Sequence, residues 1–254
     1  MRSLLLCCCL FSSFTQAADM LLIMDDLGNS KLLGERALRL SAPINFAFLP
    51  YTPYASKLAV EAHRVGHGVL LHAPMANQQS MSLGPGGLYT DMSKEELQQQ
   101  LRYDLANIPQ VQGMNNHMGS LLTEQAEPMQ WVMEVVQKQG LYFIDSLTSS
   151  NSIAFKKAKA AGVPTLKRNV FLDNNVEESA LQSQFSKALK IAKQRGHVVL
   201  IAHPYPETID FLEKQLPLLA QHEVKLRRLD LYFQEQLWQP FRIPKNLLSK
   251  YQLQ

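Results

Sequence analysis

Short apolar runs, several of them ending in ionisable or amide residues, constrain this chain more than any other feature. Residues 20–24, 44–49, 69–71, 141–144 and 198–202 are compact apolar stretches of buried-strand length. Weaker runs of the same kind occupy 111–114, 170–172 and 224–226. Because the runs are continuous rather than alternating, they predict strands covered on both faces. Between them lie segments of helical period. Residues 93–106 begin with a capping box, Ser93 and Glu96, ahead of Leu97, Leu101 and Leu105. Residues 129–139 end at Gly140, and residues 177–195 repeat Leu181, Phe185, Ala188, Leu189 and Ala192 on one face before Gly196. A further helix is expected over 211–220, kinked or begun afresh at Pro217. The count comes to about seven strand-then-helix units, which predicts an α/β fold with a parallel sheet, closed or nearly closed into a barrel. With 254 residues, 46% of them hydrophobic, one barrel-sized domain is expected over 18–233. The segment 234–254 has no clear period.

The N-terminus follows a different grammar. Arg2, an apolar run from 4 to 11 and a small-residue exit at Ala17 read as a signal peptide cleaved after residue 17. The run is too short to span a bilayer, so no stable membrane insertion is expected. An exported protein follows, periplasmic in a two-membrane bacterium. Cys7, Cys8 and Cys9 all fall in the segment to be removed, which excludes cysteine catalysis and disulfides from the mature chain. A net charge of +3, with 25 basic and 22 acidic residues interleaved, offers no basic stripe for nucleic acid.

Polar residues gather where the strands end. The run at 20–24 leads into Asp25, Asp26, Leu27 and Gly28; the run at 69–71 into His72; the run at 111–114 into Asn115, Asn116 and His117; the run at 141–144 into Asp145 and Ser146; the run at 198–202 into His203. In a parallel barrel all these ends share one face, so residues scattered from 25 to 203 converge on one mouth. The remaining histidines, His63, His67, His197 and His222, fall at helix ends or strand starts and are expected to be solvated or capping. Adjacent carboxylates on a regular strand face opposite ways, so Asp25 and Asp26 share the mouth only if the strand has ended, as Leu27 and Gly28 suggest. Two carboxylates this close call for a cation. Imidazoles of His72 and His117 suit zinc, which accepts nitrogen and oxygen donors, keeps a position open for water and acidifies that water to about pH 7.

The segments Ile23-Met24-Asp25-Asp26-Leu27-Gly28, residues 66–75 ending His72-Ala73-Pro74-Met75, residues 113–120 around Asn115-Asn116-His117, Phe143-Ile144-Asp145-Ser146 and Ile201-Ala202-His203-Pro204 together resemble the divergent polysaccharide deacetylase family, the YibQ-like proteins. The resemblance spans about residues 19–233 in order. It implies a distorted (β/α) barrel like that of the NodB-type carbohydrate deacetylases, a divalent metal, usually zinc, and removal of N-acetyl groups from a polysaccharide or amino-sugar substrate. By that similarity Asp25 is the general base, Asp26 and His72 are metal ligands, and His203 is the general acid. Better-known deacetylases carry a second histidine four residues after the first; here that position is Ala76, and His117 is the candidate third ligand. They also carry an arginine and prolines where this chain has Asn115 and Asn116, so the substrate contacts differ. Arg168, partnered by Asp145 or Asp173, is the candidate replacement charge, orienting a ligand or the base. The loop 76–92 is placed to edge a groove, with Tyr89 and Tyr205 as candidate stacking residues. Two further readings use the same fold: a glycan-binding module without turnover, and an envelope-assembly partner.

Overall fold

Alternation of strand and helix persists through the computed structural model, which describes residues 17–40 and 43–238. The first half runs β1 (Ala18–Leu27), α1 (Lys31–Ala37), β2 (Asn45–Phe48), α2 (Ala55–Arg64), β3 (Gly68–Met75), α3 (Lys94–Asn107), β4 (Gly113–Met118) and α4 (Ala126–Lys138). The second runs β5 (Tyr142–Asp145), α5 (Ala154–Ala160), β6 (Thr165–Lys167), β7 (Val170–Phe171), α6 (Glu178–Arg195), β8 (His197–Ala202), α7 (Pro206–Gln215), β9 (Val224–Leu226) and α8 (Leu229–Trp238). The expected signal peptide lies outside the described residues apart from Ala17, as does the tail beyond Trp238. Where the sequence shows no period after residue 233, α8 continues to Trp238.

All strand pairs are parallel, in the order β6-β5-β4-β3-β2-β1-β8-β7, with β9 beside the start of β1. The two edge strands are consecutive in the chain. Residues 165–167 pair with β5, and after Arg168 and Asn169 the same extended segment pairs with β8. Arg168 N–H donates to Asp145 O and Asn169 N–H to Val199 O, so one segment passes from one edge of the curled sheet to the other. Counted once, it gives the described residues a curled wall of seven parallel strands, with β9 as an eighth beside the start of β1, the α/β architecture expected.

Strand parity sorts side chains into two layers. Met20, Leu22, Met24, Phe46, Val69, Leu71, Met114, Phe143, Val198 and Leu200 belong to the large cluster shared with the helices. Leu21, Ile23, Ala47, Leu70, Tyr142, Ile144, Val199 and Ile201 form the interior cluster, with Leu229, Tyr232 and Phe233 of α8 packed among them. Gly113 leaves room for this packing, since a Cβ there would stand 2.3 Å from the Tyr142 ring. The helix is held in place by Asn45, wholly buried at the start of β2. Its Nδ2 donates to Leu22 O (2.9 Å) and Arg227 O (3.2 Å), and its Oδ1 accepts from Leu229 N (2.8 Å).

The helix starts and stops follow local chemistry. Ser93 and Glu96 form the expected capping box on α3, and Gly196 closes α6 in the left-handed conformation at φ 80°. The helix expected over 211–220 is instead α7 followed by a tighter 3-10 turn, Leu216–His222, with Pro217 in its first turn. His67 departs from the expected solvated role: it is buried, its Nδ1 accepts from Ile44 N, and its Nε2 lies 3.0 Å from Leu38 O. Burial lowers its pKa against the hydrogen bond to Leu38. It ties the segment after α1 to the start of β2. Replacing Asn45 by Ala should cost about 2–3 kcal/mol of unfolding free energy, because the buried Leu229 N–H loses its acceptor and α8 its anchor; urea denaturation reads this as a lower midpoint.

Candidate active site

Parity carries Asp25, His72, Asn115, His117 and His203 to the same side of the sheet as the interior cluster, toward the carboxyl ends of the strands. Asp26 joins them for a reason other than the one expected. The strand does not end before it: β1 continues to Leu27, but three steps along β1 from Met24 to Leu27 match only two on β2, from Phe46 to Phe48. This is a β-bulge, and Asp26 takes φ 57° within it. The left-handed residue turns its carboxylate to the side that Asp25 already faces. Met118 (φ 52°) and Leu147 (φ 51°) adopt the same conformation beyond His117 and Ser146.

Asp26, His72 and His117 bring one donor atom each into mutual contact. Asp26 Oδ1 is 2.9 Å from His117 Nδ1 and 3.2 Å from His72 Nε2, and the two nitrogens are 3.2 Å apart. Oδ1 is buried without a properly directed hydrogen bond. Three close acceptor atoms with one orphaned oxygen among them are the donor set of a small divalent cation; ligands at about 2.0–2.1 Å around zinc stand about 3.4 Å apart. The residues therefore fit the metal that the sequence implies. Burial opposes ionisation of Asp26, but the contacts with His117 and His72 outweigh it and hold the carboxyl well below its usual range.

Asn115 fixes the orientation of the neighbouring groups. Its Nδ2 donates to both oxygens of Asp25, at 2.8 and 3.0 Å, and lies 3.3 Å from Ser146 Oγ. An ionised carboxylate only accepts, so the amide oxygen must face the other way, toward His72 Nδ1 at 2.8 Å. His72 Nδ1 therefore carries the proton and donates it, leaving the Nε2 lone pair aimed at Asp26 and His117. Burial raises the pKa of Asp25 more than His72, His203 and Asn115 lower it. Burial lowers that of His72, but Asp25 and Asp26 raise it further.

His203 is held from behind. Asp173 Oδ1 lies 2.9 Å from its Nδ1, and Asp173 Oδ2 accepts from His203 N and from Thr208 Oγ1. Burial lowers the imidazole pKa, yet Asp173, with Asp25 and Asp26 beyond it, raises it to about 9. The ring stacks on Phe171 and tilts against Tyr205.

Three of the expected site residues lie elsewhere. Asn116 and Asp145 share parity with Met114 and Phe143 and face the helices. Asn116 accepts from Ser146 N and donates to Met118 O; Asp145 accepts from Leu147 N, Ser152 Oγ and Phe155 N. They shape the turns after β4 and β5 rather than line the mouth. Arg168 makes no direct salt bridge to Asp145 or Asp173, although the Asp145 charge is close enough to oppose the lowering of its pKa by burial; its Nε and Nη2 donate to Ser146 O and Leu147 O, and it lies 3.8 Å over the Phe171 ring. Its backbone position beside Asp145 O brings it to two carbonyls before any carboxylate. Ser146, expected at the strand end but given no role, does belong: its Oγ lies 3.3 Å from Asn115 Nδ2, and the series 142, 144, 146 signals it. Thr208 has no comparable sequence signal.

The raised pKa of His203 has a measurable sign. Its protonation contributes folding stability present below about pH 6.5 and lost as pH rises through about 9, on the order of 3 kcal/mol. In chelator-treated protein, NMR titration should find His203 still protonated at pH 8, and Asp173→Asn should bring its midpoint below 7.

A profile of the divergent polysaccharide deacetylase family matches residues 22–232. The uncharacterised protein YibQ of Escherichia coli K12 is 36% identical over 205 residues, covering 81% of this chain and 64% of YibQ. This chain thus spans under two thirds of that relative. An uncharacterised protein of Agrobacterium tumefaciens C58, ATU2773, superposes with a TM-score of 0.82 at 22% identity over 87% of this chain and 91% of its own. The wild-type Bacillus anthracis protein BA3943, described as a CE4 family pseudoenzyme, superposes at 0.52 with 14% identity over 85% of this chain and 66% of its own. These structural likenesses show a shared fold. With a family profile covering most of its length and its motifs in order, the chain belongs to the divergent polysaccharide deacetylase family.

Proposed function

We propose that this protein is a metal-dependent hydrolase that removes N-acetyl groups from an envelope or extracellular polysaccharide. The observation that carries the reading is the joint placement of Asp26, His72 and His117 in one donor set beside the buried carboxylate of Asp25. Asp26, His72 and His117 would hold the ion, with zinc the best match to one oxygen and two nitrogen donors. When bound, the ion supplies an acidified water and polarises the amide carbonyl.

The protein's own groups then divide the proton work. Asp25, ionised and oriented by Asn115, accepts a proton from the attacking water. His203, protonated through its bond to Asp173, donates a proton from Nε2 to the departing amine nitrogen as the C–N bond breaks. Water is thereby split between acetate and a free amino sugar. The base must be charged and the acid protonated at once, so the environments separate their behaviour. Activity should fall on the acid side as Asp25 protonates and on the alkaline side as His203 loses its proton.

Residues 1–17 as a cleaved signal peptide would deliver the chain to the periplasm, where such a polymer lies. No described helix is long and apolar enough to cross a membrane. A second reading, glycan binding without turnover, is favoured by one finding: a fold relative is described as a pseudoenzyme.

Elemental analysis separates the readings first. Wild type should hold one zinc per chain, while Asp26→Ala and His72→Ala should hold none after reloading. Asp25→Asn should retain metal but lose at least about 100-fold in acetate release from N-acetylated oligosaccharides; full activity in Asp25→Asn would overturn the assignment of the base. A wild type that binds zinc and glycan but releases no acetate would favour the binding module.

A further inference from the structure

Residues 168–173 carry the chain from one edge of the curled sheet toward the other, and three of them hold different parts of the site. Arg168 N–H donates to Asp145 O at the end of β5. Its guanidinium reaches further along the same turn, donating from Nε to Ser146 O at 2.7 Å and from Nη2 to Leu147 O at 2.9 Å. The Oγ of that Ser146 lies 3.3 Å from Asn115 Nδ2, the amide that orients Asp25. Arg168 therefore grips the side of the site that carries the carboxylate.

Phe171 and Asp173 grip the opposite side. Phe171 pairs in register with Ile201 on β8, two residues before His203, and its ring stacks on the imidazole with centroids 6.0 Å and planes 29° apart. Asp173 Oδ1 meets Nδ1 of the same imidazole at 2.9 Å. A bond at Nδ1 fixes one corner of the imidazole; the stacked face fixes its plane, and with it the direction of Nε2.

The two grips meet on one ring. The Arg168 guanidinium carbon lies 3.8 Å from the Phe171 centroid, within the range of a face-on cation–π contact. Capping two carbonyls requires only donors. Lying flat on the ring that carries His203 is a separate task, and it requires a planar cation. We propose that Arg168 is a positioning residue: through Phe171 it sets the plane of His203, and through the carbonyls of Ser146 and Leu147 it ties that plane to the Asn115–Asp25 pair. The naming of His203 as acid and Asp25 as base rests on the hydrolase reading; the brace between them does not.

The test joins NMR on the protein as isolated with kinetics on the full chain loaded with zinc. The ring current of Phe171 should displace the His203 Hδ2 and Hε1 resonances from ordinary imidazole positions. Phe171→Leu should return them to those positions, and Arg168→Gln should return them most of the way. Phe171→Tyr keeps the aromatic face at a half-buried position and should leave them in place. Arg168→Lys keeps the charge without the plane and should behave as Arg168→Gln. In acetate release, Arg168→Gln and Phe171→Leu should each lower kcat about tenfold with KM within about twofold of wild type. The double variant should fall well short of the product of the two losses, because both changes act through one ring. An arginine that merely stabilises the fold would, when replaced, lower the urea midpoint and leave the His203 resonances unmoved. That result, full recovery in Arg168→Lys, or a double variant that loses the whole product would overturn the brace even in an active enzyme. The expected resonance shifts with no acetate release by wild type would support the brace and overturn the hydrolase reading.

Discussion

Strand parity in a parallel register is the constraint on which the rest of this molecule depends. Side chains at 21, 23 and 25, at 70 and 72, at 113, 115 and 117, and at 199, 201 and 203 alternate with those that meet the helices. The inward series begins apolar and ends polar on nearly every strand. Apolar members bury against α8 at one end, which fixes strand curvature and spacing. Their polar successors are thereby delivered to the other end, where Asn115 and Asp173 then fix their orientation. The core and the chemistry are one column of residues read in opposite directions.

Within that column a single amide couples two tasks. Asn115 faces Asp25 with its donors and His72 with its acceptor, so the state of the carboxylate decides which imidazole nitrogen carries hydrogen. A leucine of similar shape would leave two buried polar groups unpaired and the tautomer unspecified. Asp173 plays the matching part for His203, fixing its Nδ1 and leaving Nε2 free.

The sequence discloses the apolar column and its polar ends because burial selects both composition and spacing. Asp25, His72, His117 and His203 are legible for that reason. The means by which Asp26 joins them is not: a bulge arises from the mismatch of β1 against β2, and neither strand's own residues announce it. Arg168 misleads in the opposite way. A lone cation invites a carboxylate partner, whereas the carbonyls of Ser146 and Leu147 that it bonds have no signature in side-chain identity. Asn116 and Asp145 were sortable by counting in twos, since Met114 and Phe143 share their parity. β6, three residues reading Thr-Leu-Lys, is too short and too mixed to stand out.

The passage of residues 165–171 between β5 and β8 bears on self-association. An open sheet of this size would present two long rims of unmet backbone groups, templates for a neighbouring chain. Here both rims belong to one segment, and the outermost strands measure only three and two residues. Neither offers a foothold for strand addition by another copy, so the same short crossing that closes the wall also protects its margins from pairing between molecules.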